Sequence, residues 1–243
     1  MTVQAGRIAV IVGAGPGLGM SMARRFGREG YTPVLVSRSA ARHGGYLGSL
    51  AEDGIDAGSF TADVRDQAQV RSVLEAITGR YGAIDLLYYG PAAVDPAALP
   101  KPITLTGPAA VREAMSWVYP AIDIAAQVLP AMTDRGSGGL LFAGGLSAIR
   151  PMPALGALAV ASAALRNYAL TLNLGLAGTG VYAGTLTIGA LIERGDIHRF
   201  VTSQPGQFGE TAIASLDPDE IADVAWDLYT KRDRPEATFS IPA

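Results

Sequence analysis

The amino-acid sequence predicts a single α/β domain of 243 residues, a doubly wound parallel sheet with helices on both faces. Three observations carry that expectation. Short apolar runs of strand composition alternate with longer segments of helical period along the chain. The runs are continuously apolar rather than alternating, as strands covered on both faces require. A glycine-rich turn separates the first run from the first helical segment, and glycine is what lets a backbone turn that sharply. Neither an internal repeat nor a linker divides the chain, so residues 1–243 read as one unit.

The elements follow in order. Ile8 to Val12 is the first strand, and Met22, Ala23 and Phe26 recur at helical spacing after the glycines. Thr32 to Ser37 is the second strand and Gly58 to Thr61 a short third. Gln67 to Gly79 places Val70, Val73, Leu74 and Ile77 on one helical face. Ile84 to Tyr89 is the fourth strand. Ala109 to Thr133 is a long helical segment in which Pro120 should kink or restart the helix. Gly139 to Ala143, the Ala- and Leu-rich helix Leu155 to Leu176, and Val181 to Ile188 come next. Asp217 to Thr230 opens with DPDE, a capping residue followed by carboxylates in the first turn. Phe239 to Ile241 would close the sheet. Residues 189–215 lack periodicity and are expected to form a substrate lid.

Composition narrows the function. The chain is 49% hydrophobic and 17% charged, with a net charge of −3 and scattered arginines, so no basic stripe for nucleic acid exists. Absence of cysteine excludes disulfides and thiolate chemistry and is compatible with a cytoplasmic protein. The first strand begins so early that no signal peptide is expected. The longest apolar stretch, Ala154 to Leu165, is too short to span a bilayer, so no membrane partner is expected. Two histidines and no carboxylates at ligand spacing argue against a metal site.

Gly13, Gly15, Pro16, Gly17, Leu18 and Gly19 occupy the turn between the first strand and the first helix. Glycines there allow the backbone to approach a pyrophosphate, whose charge meets the free N–H groups of the helix start. The spacing is GxxxGxG rather than GxGxxG, because Leu18 stands where the latter needs glycine. A nucleotide-binding, Rossmann-type sheet is the expectation.

Together these motifs resemble the short-chain dehydrogenase/reductase family over nearly the whole chain. Val12 to Gly19 matches its TGxxxGxG signature, with Val12 in place of threonine. Asp63-Val64 falls at its Asp-Val pair after strand three, YGAID at Tyr81 to Asp85 resembles its approach to strand four, and Ala163-Ala164-Leu165 and Pro130-Ala131-Met132 resemble two further motifs. The resemblance implies that Asp63 and Val64 meet the adenine, and that Gly90 stands near the cofactor where YYGPA replaces the family's NNAG. It also implies a homodimer or homotetramer formed through the helices around 109–133 and 155–176. The apolar residues on several faces of Leu155 to Leu176 agree with such a covering.

Cofactor choice is argued locally. The end of the second strand reads Ser37-Arg38-Ser39, with Arg42 and His43 following, and no acidic residue stands there to bind a ribose 2′-hydroxyl. A guanidinium beside two hydroxyls suits a phosphate dianion, so NADP(H) is expected in preference to NAD(H).

Family members pair a tyrosine with a lysine four residues later, because a phenol is a weak acid–base at neutral pH without a nearby ammonium. Alignment on Ala163-Ala164-Leu165 places Leu158 at the tyrosine, Ser162 at the lysine and Gly145 at the serine position. Pairing Ser147 with the serine instead gives Val160 and Ala164, and the only lysines are Lys101 and Lys231. Trp117 takes the place of the helix-four asparagine. Substitutes considered are Tyr89 or Tyr88 at the end of strand four, Ser147 as a substrate hydrogen-bond donor, Arg150 for an anion, and His198 in the lid. The sequence leaves three readings: an atypical NADP(H)-dependent oxidoreductase on a small organic molecule, a silent dinucleotide-binding pseudoenzyme, and a non-redox enzyme reusing the pocket.

Overall fold

Apolar β-rich runs become strands stacked in the order β3-β2-β1-β4-β5-β6-β9, all seven parallel. Their ranges are β1 Arg7–Val12, β2 Tyr31–Ser37, β3 Gly58–Thr61, β4 Ile84–Tyr89, β5 Gly138–Gly145, β6 Val181–Ile188 and β9 Glu236–Phe239. A separate two-stranded ribbon joins β7 Leu191–Ile192 to β8 Ser215–Leu216. The computed structural model describes residues 6–91, 100–204 and 214–240. Among these, no helix is long and apolar enough to cross a membrane.

Helices cover both faces: α1 Leu18–Arg28, α2 His43–Glu52, α3 Gln67–Tyr81, α4 Pro108–Met115, α5 Tyr119–Arg135, α6 Ala157–Gly175, α7 Asp196–Thr202 and α8 Pro218–Lys231. Side chains alternate along each strand, so the core is two-sided. Val10, Val12, Leu87, Tyr89 and Phe142 pack beneath α3, α5 and α6, whereas Ile11, Leu35, Tyr88 and Leu141 pack beneath α1 and α8. On the second side Phe26, Tyr31, Trp226 and Tyr229 form an aromatic cluster with centroids 5.2–6.3 Å apart. The Tyr31 hydroxyl donates to that of Tyr229 at 3.1 Å.

The helical segment 109–133 restarts at Pro120 as expected: it is two helices, separated at residues 116–118, with Pro120 in the first turn of α5 where its missing N–H costs nothing. Helix α2 adds to the sequence reading, since HGGYLGSLAE carries three glycines and no apolar period. Two expectations are corrected. The closing strand is Glu236–Phe239 rather than one running to Ile241, which lies outside the described residues. The presumed irregular lid contains β7 and α7 and joins β8, while its residues 205–213 lie outside the described ones.

The strand order reverses between β1 and β4, and the register Val12↔Tyr89 brings both carboxyl ends to one edge. This is the topological switch point, where an open α/β sheet leaves a crevice.

Candidate functional site

The crevice starts at Gly13. Its amide and that of Ala14 donate to Val36 O at 2.9 and 3.1 Å, and Gly90 N donates to Val12 O at 2.9 Å. These bonds press three strand ends together. At φ +88° a Cβ on Gly13 would lie 2.5 Å from Pro91 N, so only glycine fits. Helix α1 then begins at Leu18 with no side-chain cap and no acidic residue in its first turn. Its leading N–H groups face the crevice with the positive end of the helix dipole.

Two cavities share this edge. The larger, about 390 Å³, is lined by Gly13, Gly15, Pro16, Gly17, Leu18 and Gly19, by Tyr88, Tyr89 and Gly90, by residues of β5 and α6, and by residues of the segment 190–198. The smaller, about 200 Å³, runs along Val36, Ser37, Arg38, Ala62 and Val64. Gly13, Pro91, Trp117, Asp196 and Ile197 belong to both walls.

Of the β2-end residues, Ser37 and Arg38 line the smaller cavity but Ser39 lines neither. The Ser39 hydroxyl accepts from Ala41 N at 3.2 Å and caps the short turn Ala40–Arg42. Asp63 also lies outside both walls. Its carboxylate accepts from Arg65 N at 3.0 Å, which together with the Arg65 side chain holds it below the usual carboxylate range. Asp63 is thus engaged in a local turn, and its neighbours Ala62 and Val64 are what line the cavity. Arg38 and Arg65 flank the Trp117 ring, at 5.9 and 4.9 Å from its centroid.

Around the larger cavity, Leu158 and Ser162 stand one helical turn apart on α6 and both line the wall. Lys231 is paired with Asp227 on α8 at 2.7 Å, and neither it nor Lys101 lines either cavity. Ser147 is buried and is not part of the wall, although it sits close behind. A Cβ at Gly145 would meet Ser162 Oγ at 3.3 Å and Ser147 Oγ at 3.4 Å, so the two hydroxyls flank one point. Ser162 is the member that sequence reasoning did not put forward.

Tyr88 and Tyr89 lie on opposite faces of β4, as alternation requires, yet both reach the cavity. Tyr89 donates its hydroxyl to Trp117 O at 2.6 Å, and burial raises its pKa. Tyr88 is fully buried and shifted the same way by desolvation. A phenol pushed upward and already donating to a carbonyl is a poor proton source. Arg150 is exposed and outside both walls, whereas His198 lines the larger one.

The segment 193–195 rests on the glycine turn. A Cβ on Gly17 would lie 3.0 Å from Glu193 O and 3.1 Å from Gly195 N. Arg194, at φ 63°, bridges to Asp217 and Asp219 at 3.0 and 2.8 Å and donates to Ser21 Oγ at 3.3 Å. Among the described residues, no group of three or more His, Cys, Asp or Glu could hold a metal ion.

A family model for short chain dehydrogenases matches residues 7–192, which spans β1 to β7 and most of both cavity walls. The chain belongs to the short chain dehydrogenase family. Among curated members of this oxidoreductase family, it is 26% identical over 220 residues to 1-deoxy-11-beta-hydroxypentalenate dehydrogenase of Streptomyces avermitilis, covering 90% of this chain and 79% of that one. A ketoacyl reductase relative from Streptomyces coelicolor is 33% identical over 87 residues, 36% of this chain. That alignment spans only 33% of the relative's own length. Among solved short chain dehydrogenase folds, L-sorbose reductase of Gluconobacter frateurii, complexed with NADPH and L-sorbose, superposes with a TM-score of 0.79 at 22% identity, covering 97% and 95% of the two chains. An actinorhodin polyketide ketoreductase variant with NADPH gives 0.80 at 20% identity, covering 98% and 97%.

Proposed function

We propose that this short chain dehydrogenase binds NADP(H) and exchanges a hydride with a small, largely apolar organic substrate, without the tyrosine–lysine proton relay. One observation carries the reading: Leu158 and Ser162 stand together on the cavity wall at the aligned relay positions, with no lysine beside them.

The cavities fit the cofactor. The uncapped start of α1 and the backbone from Gly13 to Gly19 would hold the pyrophosphate, and Gly15, with nothing nearer than 3.9 Å to a Cβ built on it, leaves room for it. Ala62 and Val64 would flank the adenine, and Ser37 and Arg38 the 2′-phosphate. Ser39 and Asp63 would support that end from behind. The NADPH complexes of L-sorbose reductase and the polyketide ketoreductase are consistent with this placement. When bound, the cofactor supplies or accepts the hydride.

The chain's own residues do the rest. Leu158, Ala161, Leu165 and Ile188 keep water from the substrate, and Ser162, backed by Ser147, gives it one hydrogen-bonding group. Lacking an ammonium to lower a phenol pKa, the tyrosines of the wall are inefficient donors to an alkoxide, and His198 is the one imidazole on it. The substrates that suit such a wall are those whose reduction leaves a stable anion or a neutral product, such as a quinone, a flavin or an iminium. A quinone takes up the hydride and becomes a hydroquinone anion, which then draws its proton from water.

Tyr119 and Ile122 on α5 and Val160 and Leu174 on α6 leave large apolar side chains exposed. We read these faces as the contact in a homodimer or homotetramer. A cytoplasmic setting, with neither nucleic acid nor membrane as partner, accompanies this reading.

Stopped-flow loss of NADPH absorbance across a panel of quinones, flavins, iminium ions and simple ketones tests the function. Turnover confined to the first three classes is the expected result. NADPH binding without turnover of any acceptor would make the protein a dinucleotide sensor instead.

A further inference from the structure

The pair Ser37 and His43 has a hydrogen-bond polarity that bears on cofactor choice. Ser37 closes β2, is half-buried and lines the smaller cavity beside Arg38. Its hydroxyl has one proton and two groups within reach: Ser39 O at 3.1 Å and His43 Nε2 at 2.7 Å. The carbonyl of Ser39 can only accept, so both contacts are hydrogen bonds at once when the Ser37 proton goes to it and His43 donates through Nε2–H to Ser37 Oγ. In the other tautomer Nε2 takes the Ser37 proton instead. The imidazole is 5% exposed, at the first residue of α2, where this bond satisfies its inner nitrogen. Burial lowers its pKa, so the ring is a neutral donor at neutral pH and not a second cation beside Arg38.

We propose that His43 is a positioning residue for 2′-phosphate recognition: its Nε2–H occupies the Ser37 oxygen, leaving the Ser37 O–H to donate into the smaller cavity. The proposal rests on the NADP(H) reading above. A phosphate oxygen is a stronger acceptor than the neutral Ser39 carbonyl, so the Ser37 proton turns to it on binding. The incoming bond from His43 keeps the oxygen satisfied and polarises its O–H. Without that donor the hydroxyl rotates freely and its O–H is no longer polarised, so its preference for a phosphate oxygen weakens. A ribose 2′-hydroxyl can both donate and accept, so NAD(H) is indifferent to the change.

Calorimetric titration of the intact protein with NADPH and with NADH tests this. In His43→Gln the amide nitrogen reaches the place of Nε2, whereas the shorter Asn in His43→Asn does not. The expected result is a loss of NADPH affinity of about 5- to 10-fold in His43→Asn, with NADH unchanged within about 2-fold and His43→Gln near wild type. Ser37→Ala should show the same loss, and Ser37→Ala/His43→Asn no further one. Equal weakening of both cofactors, a Gln variant as impaired as Asn, or additive losses would overturn the proposal while leaving the NADP(H) reading intact. Wild-type protein that binds neither dinucleotide would overturn both.

Discussion

Arg42 Nη1 lies 2.7 Å from Asp196 Oδ2, an ion pair that fastens the turn after β2 to the first residue of α7. Asp196 is on the wall of both cavities, and Arg199 donates to its other oxygen at 2.8 Å. The bond from Arg42 is the main reason its carboxyl is held below the usual range. The start of α7 is thus tied down beside the proposed 2′-phosphate position.

Opening that tie should hasten cofactor release. Both side chains are about half exposed, at 55% and 47%, so the pair is worth no more than ~1 kcal/mol. Asp196→Asn is expected to raise the NADPH dissociation rate roughly 2- to 5-fold, read by stopped-flow displacement. A rate equal to wild type would show that the pair does not hold that segment.

The glycine turn has less tolerance. Gly13→Ala would place a methyl group 2.5 Å from Pro91 N and 2.7 Å from Gly90 C, at a φ of +88°. Strain of about 1–3 kcal/mol is expected in thermal unfolding, with at least ~10-fold weaker dinucleotide binding. Normal affinity in this variant would mean that the β1–β4 junction does not shape the crevice.

Introducing a tyrosine and a lysine four residues apart tests the proposed lack of a relay. Leu158 and Ser162 already share one wall at a spacing of four residues. Leu158→Tyr/Ser162→Lys is expected to raise turnover of a simple ketone with NADPH by roughly 10²-fold or more. Wild-type ketone turnover equal to that of the double variant would show that another donor already acts.

Stability at acid pH should depend on Glu236. Arg166 Nε and Nη2 donate to its two oxygens at 2.7 and 2.6 Å, and Thr187 adds a third bond at 2.6 Å, joining α6 to β9 and β6. These bonds, that of Arg166 first, hold the carboxyl below its ordinary value of 4.5. With the folded value depressed, the contribution is full above about 4.5 and is lost as pH falls through the lowered value. Glu236→Gln is expected to destabilise by about 1–3 kcal/mol at pH 7 and to flatten the acid limb of a denaturation series. An unchanged acid limb would assign it to other carboxylates.

The apolar faces of α5 and α6 predict association. Light scattering should give a multiple of 25.1 kDa, and Leu174→Glu, at a side chain 78% exposed, should shift it toward the monomer. A wild-type mass of 25.1 kDa would remove the oligomer from the reading.

What the sequence disclosed follows the strength of its periodic signals. Val181 to Ile188 and Ile84 to Tyr89 were legible to the residue because buried parallel strands are bounded apolar runs. Helix α2 was not, since it is held by Leu50 and by the hydrogen bond between His43 and Ser37 rather than by an apolar stripe. The cradle from Gly13 to Gly19 was legible because turn geometry demands glycine. The place of Ser162 on the wall and the Arg42–Asp196 tie depend on side-chain directions between distant elements, which no local pattern encodes.

Trp117, on the wall common to both cavities, gives the molecule an optical gauge. The other tryptophan, Trp226, meets Phe26 edge to face at 5.2 Å on the opposite side of the sheet, remote in sequence and packing from the crevice. One indole should therefore dim when a ligand enters, while its counterpart stays constant until the chain unfolds. A single emission spectrum would then separate occupancy from folding, with no label added.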